Sequence, residues 1–94
     1  MKIILNNNSL FKSLRPFNDI GFVPTMGSIH EGHLSLIDRS NRTCKKTIVS
    51  IFVNPKQFNN KKDFKNYPTN IKEDIKILKN SKMVDFLYIP KFKD

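Results

Sequence analysis

The run Thr47-Ile48-Val49-Ser50-Ile51-Phe52-Val53 most constrains what this chain can fold into. It is almost continuously β-branched or aromatic, without the alternation of a strand that is wet on one side. Such a strand is covered on both faces, the situation of a parallel sheet between helices. Asn54-Pro55 ends it. Parallel strands need crossovers of about a dozen residues or more, usually helical, and segments of that kind lie on both sides. Ile20 to Thr25 reads as the preceding strand, with Pro24 near its C-terminal end, where a ladder N–H can be spared. Glu31 to about Arg42 reads as a helix with Leu34, Ile37 and Asn41 along one face. After a polar loop from Lys56 to Asn66, with Phe58 and Phe64 embedded, Asn70 and Glu73 form a capping-box-like pair. The helix they open runs to about Lys82 and carries Ile71, Ile75 and Leu78 on one apolar face. Val84 to Ile89 is the last strand. Upstream, Lys2 to Leu5 suits an edge strand, and Ser9 suits the cap of a short helix, Leu10 to Arg15, stopped by Pro16. The β-α-β-α-β order is half of a doubly wound α/β domain, with the last strand expected to leave an edge or face uncovered.

Ninety-four residues hold one domain at most, and one this small buries roughly 60–70% of its unfolded surface. No apolar run approaches the ~20 residues of a membrane span, and the N-terminus turns polar too soon for a signal peptide. The single cysteine, Cys44, forms no internal disulfide, which fits a cytoplasmic location. Seventeen Lys and Arg against eight Asp and Glu give a net charge of +9. The lysines are dispersed, however, and the chain lacks alanine and tryptophan while crowding Lys, Asn and Ile, as an AT-rich genome would dictate. Dispersal argues against a nucleic-acid partner.

The chemistry concentrates in Gly21-Phe22-Val23-Pro24-Thr25-Met26-Gly27-Ser28-Ile29-His30-Glu31-Gly32-His33-Leu34, which holds all three glycines and both histidines. A strand, a glycine turn and a helix start bring N–H groups and the positive end of a dipole together, a natural anion site. Glu31 in the first turn suits that dipole. Two histidines three apart lie on one side of a first turn and can both donate to a phosphoryl oxygen. As zinc ligands they lack partners, because there is no third histidine and Cys44 lies far along the helix; no metal site is expected.

His30-Glu31-Gly32-His33 matches the His-x-Gly-His pattern of the adenylate-forming (HIGH-motif) nucleotidyltransferase superfamily. Val23 to His33, then Val49-Ser50-Ile51-Phe52-Val53-Asn54-Pro55 with Gln57-Phe58, then Asp63-Phe64 and Tyr67-Pro68, together resemble the pantoate–β-alanine ligase family. Order and spacing agree from about Ile20 through Pro90. The resemblance implies a Rossmann-like nucleotide-binding fold, of which residues 1–94 would be the N-terminal part, with the rest of that domain and a C-terminal domain absent. It implies attack of the pantoate carboxylate on the α-phosphorus of ATP, assisted by Mg2+, and then attack of β-alanine on the pantoyl adenylate to give pantothenate and AMP. By motif, Met26, Gly27, Ser28, Ile29, His30, Glu31, Gly32 and His33 would contact ATP. His33 would be the proton donor, with His30 beside it. Gln57 would hold pantoate and then β-alanine, with Pro24, Met26 and Asn54 lining the acid pocket. The family also implies a homodimer. Thr69 stands where an arginine is common, and the later ATP-clamping segments would follow Asp94, so the 94 residues alone are expected not to turn over. Alternatives are a related nucleotidyltransferase with another acceptor, or a non-catalytic remnant.

Overall fold

Seven elements follow one another along the described residues, 1–52 and 71–90 of a computed structural model. They are β1 (Lys2–Ile4), α1 (Asn7–Leu14), β2 (Ile20–Thr25), α2 (Glu31–Thr43), β3 (Lys46–Ile51), α3 (Ile71–Ser81) and β4 (Phe86–Tyr88). The four strands form one sheet in the order β1-β4-β3-β2, and every pairing is parallel. The parallel α/β fold expected from the sequence is the one observed.

β3 (Lys46–Ile51) is shorter than the expected run from Thr47 through Val53. Every residue from Thr47 to Ile51 is buried, but Phe52 is outside the strand and 39% exposed, and Val53 lies outside the described residues. Alternate side chains serve opposite faces. Ile48 joins Ile4 and Phe86 in a small core closed by Leu10 and Leu14 of α1, with Phe17 and Ile20. Val49 and Ile51 join Val23, Ile29, Ile37, Leu78, Val84 and Leu87 in the larger core under α2 and α3. Burying each such side chain stabilises the fold by about 1.5–3 kcal/mol. Ile71, Ile75 and Leu78 all pack into that core, as their spacing requires.

β4 is also shorter than expected, Phe86–Tyr88 within the predicted run Val84 to Ile89. Three further details differ from the sequence reading. The N-cap of α1 is Asn6, not Ser9: the Asn6 side chain accepts the Ser9 N–H at 2.9 Å, so the helix starts earlier. Asparagine caps as well as serine, and the first free N–H groups lie upstream of Ser9. On α2 the inward position after Ile37 belongs to Ser40, which is buried, while Asn41 is exposed. A Cβ on Gly21 would stand 1.9 Å from Ser40 Oγ, and that hydroxyl shares a 2.7 Å hydrogen bond with Thr47 Oγ1. The helix lies so close to β2 that position 21 has no room for a side chain. Finally, β4 is not an edge: Phe86–Tyr88 pairs with Lys2–Ile4 on one side and with Ile48–Ser50 on the other. The short apolar run at the N-terminus supplies the missing neighbour.

Gly21→Ala is therefore expected to destabilise the chain by about 1–3 kcal/mol, the cost of overpacking a tight contact. Urea unfolding measures it, and an unchanged midpoint would show that α2 can withdraw freely. Among the described residues no helix is long and apolar enough to cross a membrane.

Candidate active site

β2 ends in the turn Met26–Ile29, which leads into α2 with His30 as its N-cap. The site thus lies beyond the carboxyl ends of parallel strands, where open α/β sheets bind ligands. The turn is tied down atom by atom. Thr25 Oγ1 donates to the Ser50 carbonyl at 2.9 Å and accepts the Gly27 N–H at 3.2 Å, fastening the strand end to β3. Gly27 then takes φ 91° and Ser28 φ 57°, two left-handed residues in succession. The Ser28 and Ile29 N–H groups donate to Asp74 of α3, at 2.9 and 2.8 Å.

The histidines close the next turn on each other. His30 Nδ1 accepts the Gly32 N–H at 3.0 Å, and His33 Nδ1 accepts the His30 N–H at 3.2 Å. Their rings lie 4.1 Å apart, tilted by 36°. A nitrogen that accepts from an amide carries no proton, so a neutral ring in this arrangement bears its hydrogen on Nε2. Each imidazole is thereby fixed as an Nε2–H donor. His33 is held below its ordinary 6.5, first by burial and then by the neighbouring His30, with Asp74 pulling the other way. Protonation of His33 would also break its bond from the His30 amide.

The sequence reading expected the glycines to let backbone N–H groups reach a phosphate. Here the amides of Gly27, Ser28, Ile29, His30 and Gly32 all have partners within the chain. The two imidazole Nε2–H groups stand outside these bonds. The structure places Met26, Gly27, Ser28, Ile29, His30, Glu31, Gly32 and His33 along the turn and the start of α2, with Met26 and nearby Pro24 exposed. Asn54 and Gln57 lie outside the described residues, as do the expected loop 56–66 with Phe58 and Phe64 and the expected capping residue Asn70. Asp74, Thr25 and Ser50 were missed. For Asp74 a signal existed: an acid stands among Ile71, Ile75 and Leu78, on the stripe that faces the core. Among the described residues no three His, Cys, Asp or Glu side chains gather to hold a metal ion.

A family model described as pantoate-beta-alanine ligase matches residues 2–94. The chain belongs to this family. It is 49% identical over 87 residues to the pantothenate synthetase of Francisella philomiragia, covering 93% of this chain and 33% of that protein. It is 44% identical over 93 residues to the pantothenate synthetase of Pseudothermotoga lettingae, covering 99% and 33%. The crystal structure of pantothenate synthetase from Thermus thermophilus superposes with a TM-score of 0.86 at 37% identity, covering 97% of this chain and 32% of that one. Pantoate-beta-alanine ligase from Francisella tularensis, complexed with beta-gamma ATP and beta-alanine, gives 0.78 at 46% identity, covering 96% and 36%. The chain therefore spans about a third of the length of the curated relatives it matches.

Two expectations follow from the geometry. Gly27→Ala forces a Cβ into the left-handed region and within 3.2 Å of Asp74 Oδ2. It should cost about 1–2 kcal/mol, read as a lower unfolding midpoint; an alanine variant as stable as the parent would mean that the turn rearranges without strain. The second concerns pH. Because the folded His33 titrates below 6.5, its neutral form favours the fold. That contribution is complete above pH 6.5 and is lost as pH falls through 6.5 toward the lower folded value. Between about pH 7.5 and about pH 5, the melting temperature of the parent should fall more than that of His33→Gln. Parallel curves would contradict the assignment.

Proposed function

We propose that this chain carries the nucleotide-activating part of a pantoate–β-alanine ligase, which joins pantoate to β-alanine through a pantoyl adenylate with release of AMP and diphosphate. The observation that carries the reading is the histidine pair at the start of α2, beyond the end of β2. The rings lie 4.1 Å apart and each Nδ1 accepts a backbone N–H, which leaves Nε2–H as the donor of each ring. Attack by a carboxylate on the α-phosphorus builds charge on the phosphoryl oxygens, and preorganised donors stabilise that charge more than they stabilise the ground state. His30 and His33 are such donors. Their Nδ1 bonds favour work as neutral hydrogen-bond donors, so His33 is read as a donor to the charge and not as an imidazolium that gives up its proton.

Met26, Gly27, Ser28, Ile29, Glu31 and Gly32 complete the ATP-contacting turn in this reading. Pro24, Met26, Asn54 and Gln57 are assigned to pantoate and β-alanine; Gln57 offers donors and an acceptor without charge, which suits a carboxylate and later an amine. Mg2+ would travel on the triphosphate, as it does where a protein offers few carboxylates, and neutralise its charge. Residues 1–94 are the N-terminal part of the nucleotide-binding domain in this account, and alone do not turn over. A cytoplasmic location fits the free thiol of Cys44, and the full-length assembly is taken as a homodimer. Its ligands are small molecules, with neither nucleic acid nor membrane invoked.

Amide chemical shifts recorded while Mg-ATP is added to the 94-residue chain test the assignment. The largest changes are expected from Met26 through His33 and in the His33 ring. Changes confined to other parts of the sheet would refute it.

A further inference from the structure

Asp74 is a buried acid, only 3% exposed, near the start of α3. Its two oxygens divide their work: Oδ2 accepts from Ser28 and Oδ1 from Ile29. Those amides lie within and just after the consecutive left-handed residues Gly27 and Ser28, a path that non-glycine residues resist. A Cβ on Gly27 would come within 3.2 Å of Oδ2, so the carboxylate fills the hollow of the turn. Ile29 is itself buried and directly precedes the N-cap His30. Where the turn ends therefore decides where α2 begins and where both imidazoles stand.

We propose that Asp74 is the positioning residue of the histidine turn: its carboxylate moulds Gly27–Ile29 and so sets His30 and His33 against the phosphates of a bound nucleotide. The nucleotide half of this proposal rests on the adenylate-forming reading above; the turn-holding half does not. A surface acid making the same two bonds could be replaced by water. A buried one cannot, because its removal leaves amides without a partner. Charge alone would act in the opposite direction. A carboxylate near a phosphate site repels the ligand, so neutralising a mere bystander would tighten nucleotide binding. Loosening the turn weakens it.

Asp74→Asn separates the two. Asparagine keeps the shape and one accepting oxygen but turns an NH2 group toward the second amide. In the 94-residue chain, exchange of the Ser28 or Ile29 amide should quicken at least ~10-fold, while unfolding stays cooperative. Mg-ATP affinity by calorimetry should fall about tenfold, equivalent to about 1.4 kcal/mol. Asp38→Asn makes the same charge change on the exposed side of α2, where Asp38 pairs with Arg42 at 3.0 Å, and should alter neither. Tighter ATP binding by Asp74→Asn, or unchanged exchange at both amides, overturns the proposal. If the parent binds no ATP yet the two amides lose protection in Asp74→Asn, the nucleotide half falls and the hold on the turn stands. If Asp74→Asn does not fold, the parent decides. Its Ser28 and Ile29 amides must exchange slowly, although neither belongs to a helix or a strand, and fast exchange of both overturns the proposal.

Discussion

Replacing His33 by alanine is expected to slow adenylate formation about 10²–10³-fold, the usual effect of removing one preorganised donor, while weakening ATP binding far less. The vehicle is a chimaera in which residues 1–94 replace the matching third of a Francisella relative. The difference between the two effects follows from where charge develops. In the proposed reading, ground-state ATP would meet the Nε2–H groups as one contact among several, whereas the transition state would concentrate charge on the oxygens set against them. The Nδ1 bond from the His30 amide adds a pH signature. A neutral donor keeps working as pH rises above the ordinary histidine value of 6.5, so the single-turnover rate in the parent should hold or rise there. An imidazolium acid would lose rate over the same range. Adenylate formation by His33→Ala at the parent rate would remove the residue from the chemistry.

Leu87→Ala is expected to cost the fold about 2–5 kcal/mol, from lost transfer energy and the cavity left behind. Leu87 is fully buried in β4, between β1 and β3 and beneath α2 and α3. Small domains are stable by roughly 5–15 kcal/mol, so this change takes a large share. Ile3→Ala supplies the comparison. Ile3 lies in the adjoining strand but is 44% exposed, and surface changes of this kind usually stay within about ±0.5 kcal/mol. Urea unfolding with an unchanged denaturant slope reads both. A Leu87→Ala midpoint close to that of Ile3→Ala would contradict the interior position of β4.

That position was the least legible feature of the fold. β2 and β3 announce themselves locally, through β-branched runs bounded by Pro, Asn and Gly, and Ile20–Thr25 emerges with the expected bounds. The partner of β4 is a strand of three residues more than 80 positions away, Lys2–Ile4 against Phe86–Tyr88, and no local pattern encodes that pairing. The site divides in the same way. The glycine turn and histidine spacing are local, so His30 and His33 could be read directly from the sequence. Asp74 acts from another helix, and its bonds to Ser28 and Ile29 span 46 and 45 residues. The fate of the backbone amides depended on it: the turn that invited direct phosphate contact is bonded to Asp74 and to the histidines' own nitrogens. Ser40 in place of Asn41 shows the same limit on a smaller scale, because helical spacing allows either and only the approach of Gly21 chooses.

The most direct test of the account is AMP release by the unmutated chimaera, assayed with ATP, pantoate and β-alanine together and with each omitted. If residues 1–94 supply the nucleotide-activating part of a pantoate–β-alanine ligase, AMP appears only with all three substrates, in step with pantothenate and at a rate within about tenfold of the Francisella parent. A folded chimaera that releases no AMP, beside an active parent, would contradict it.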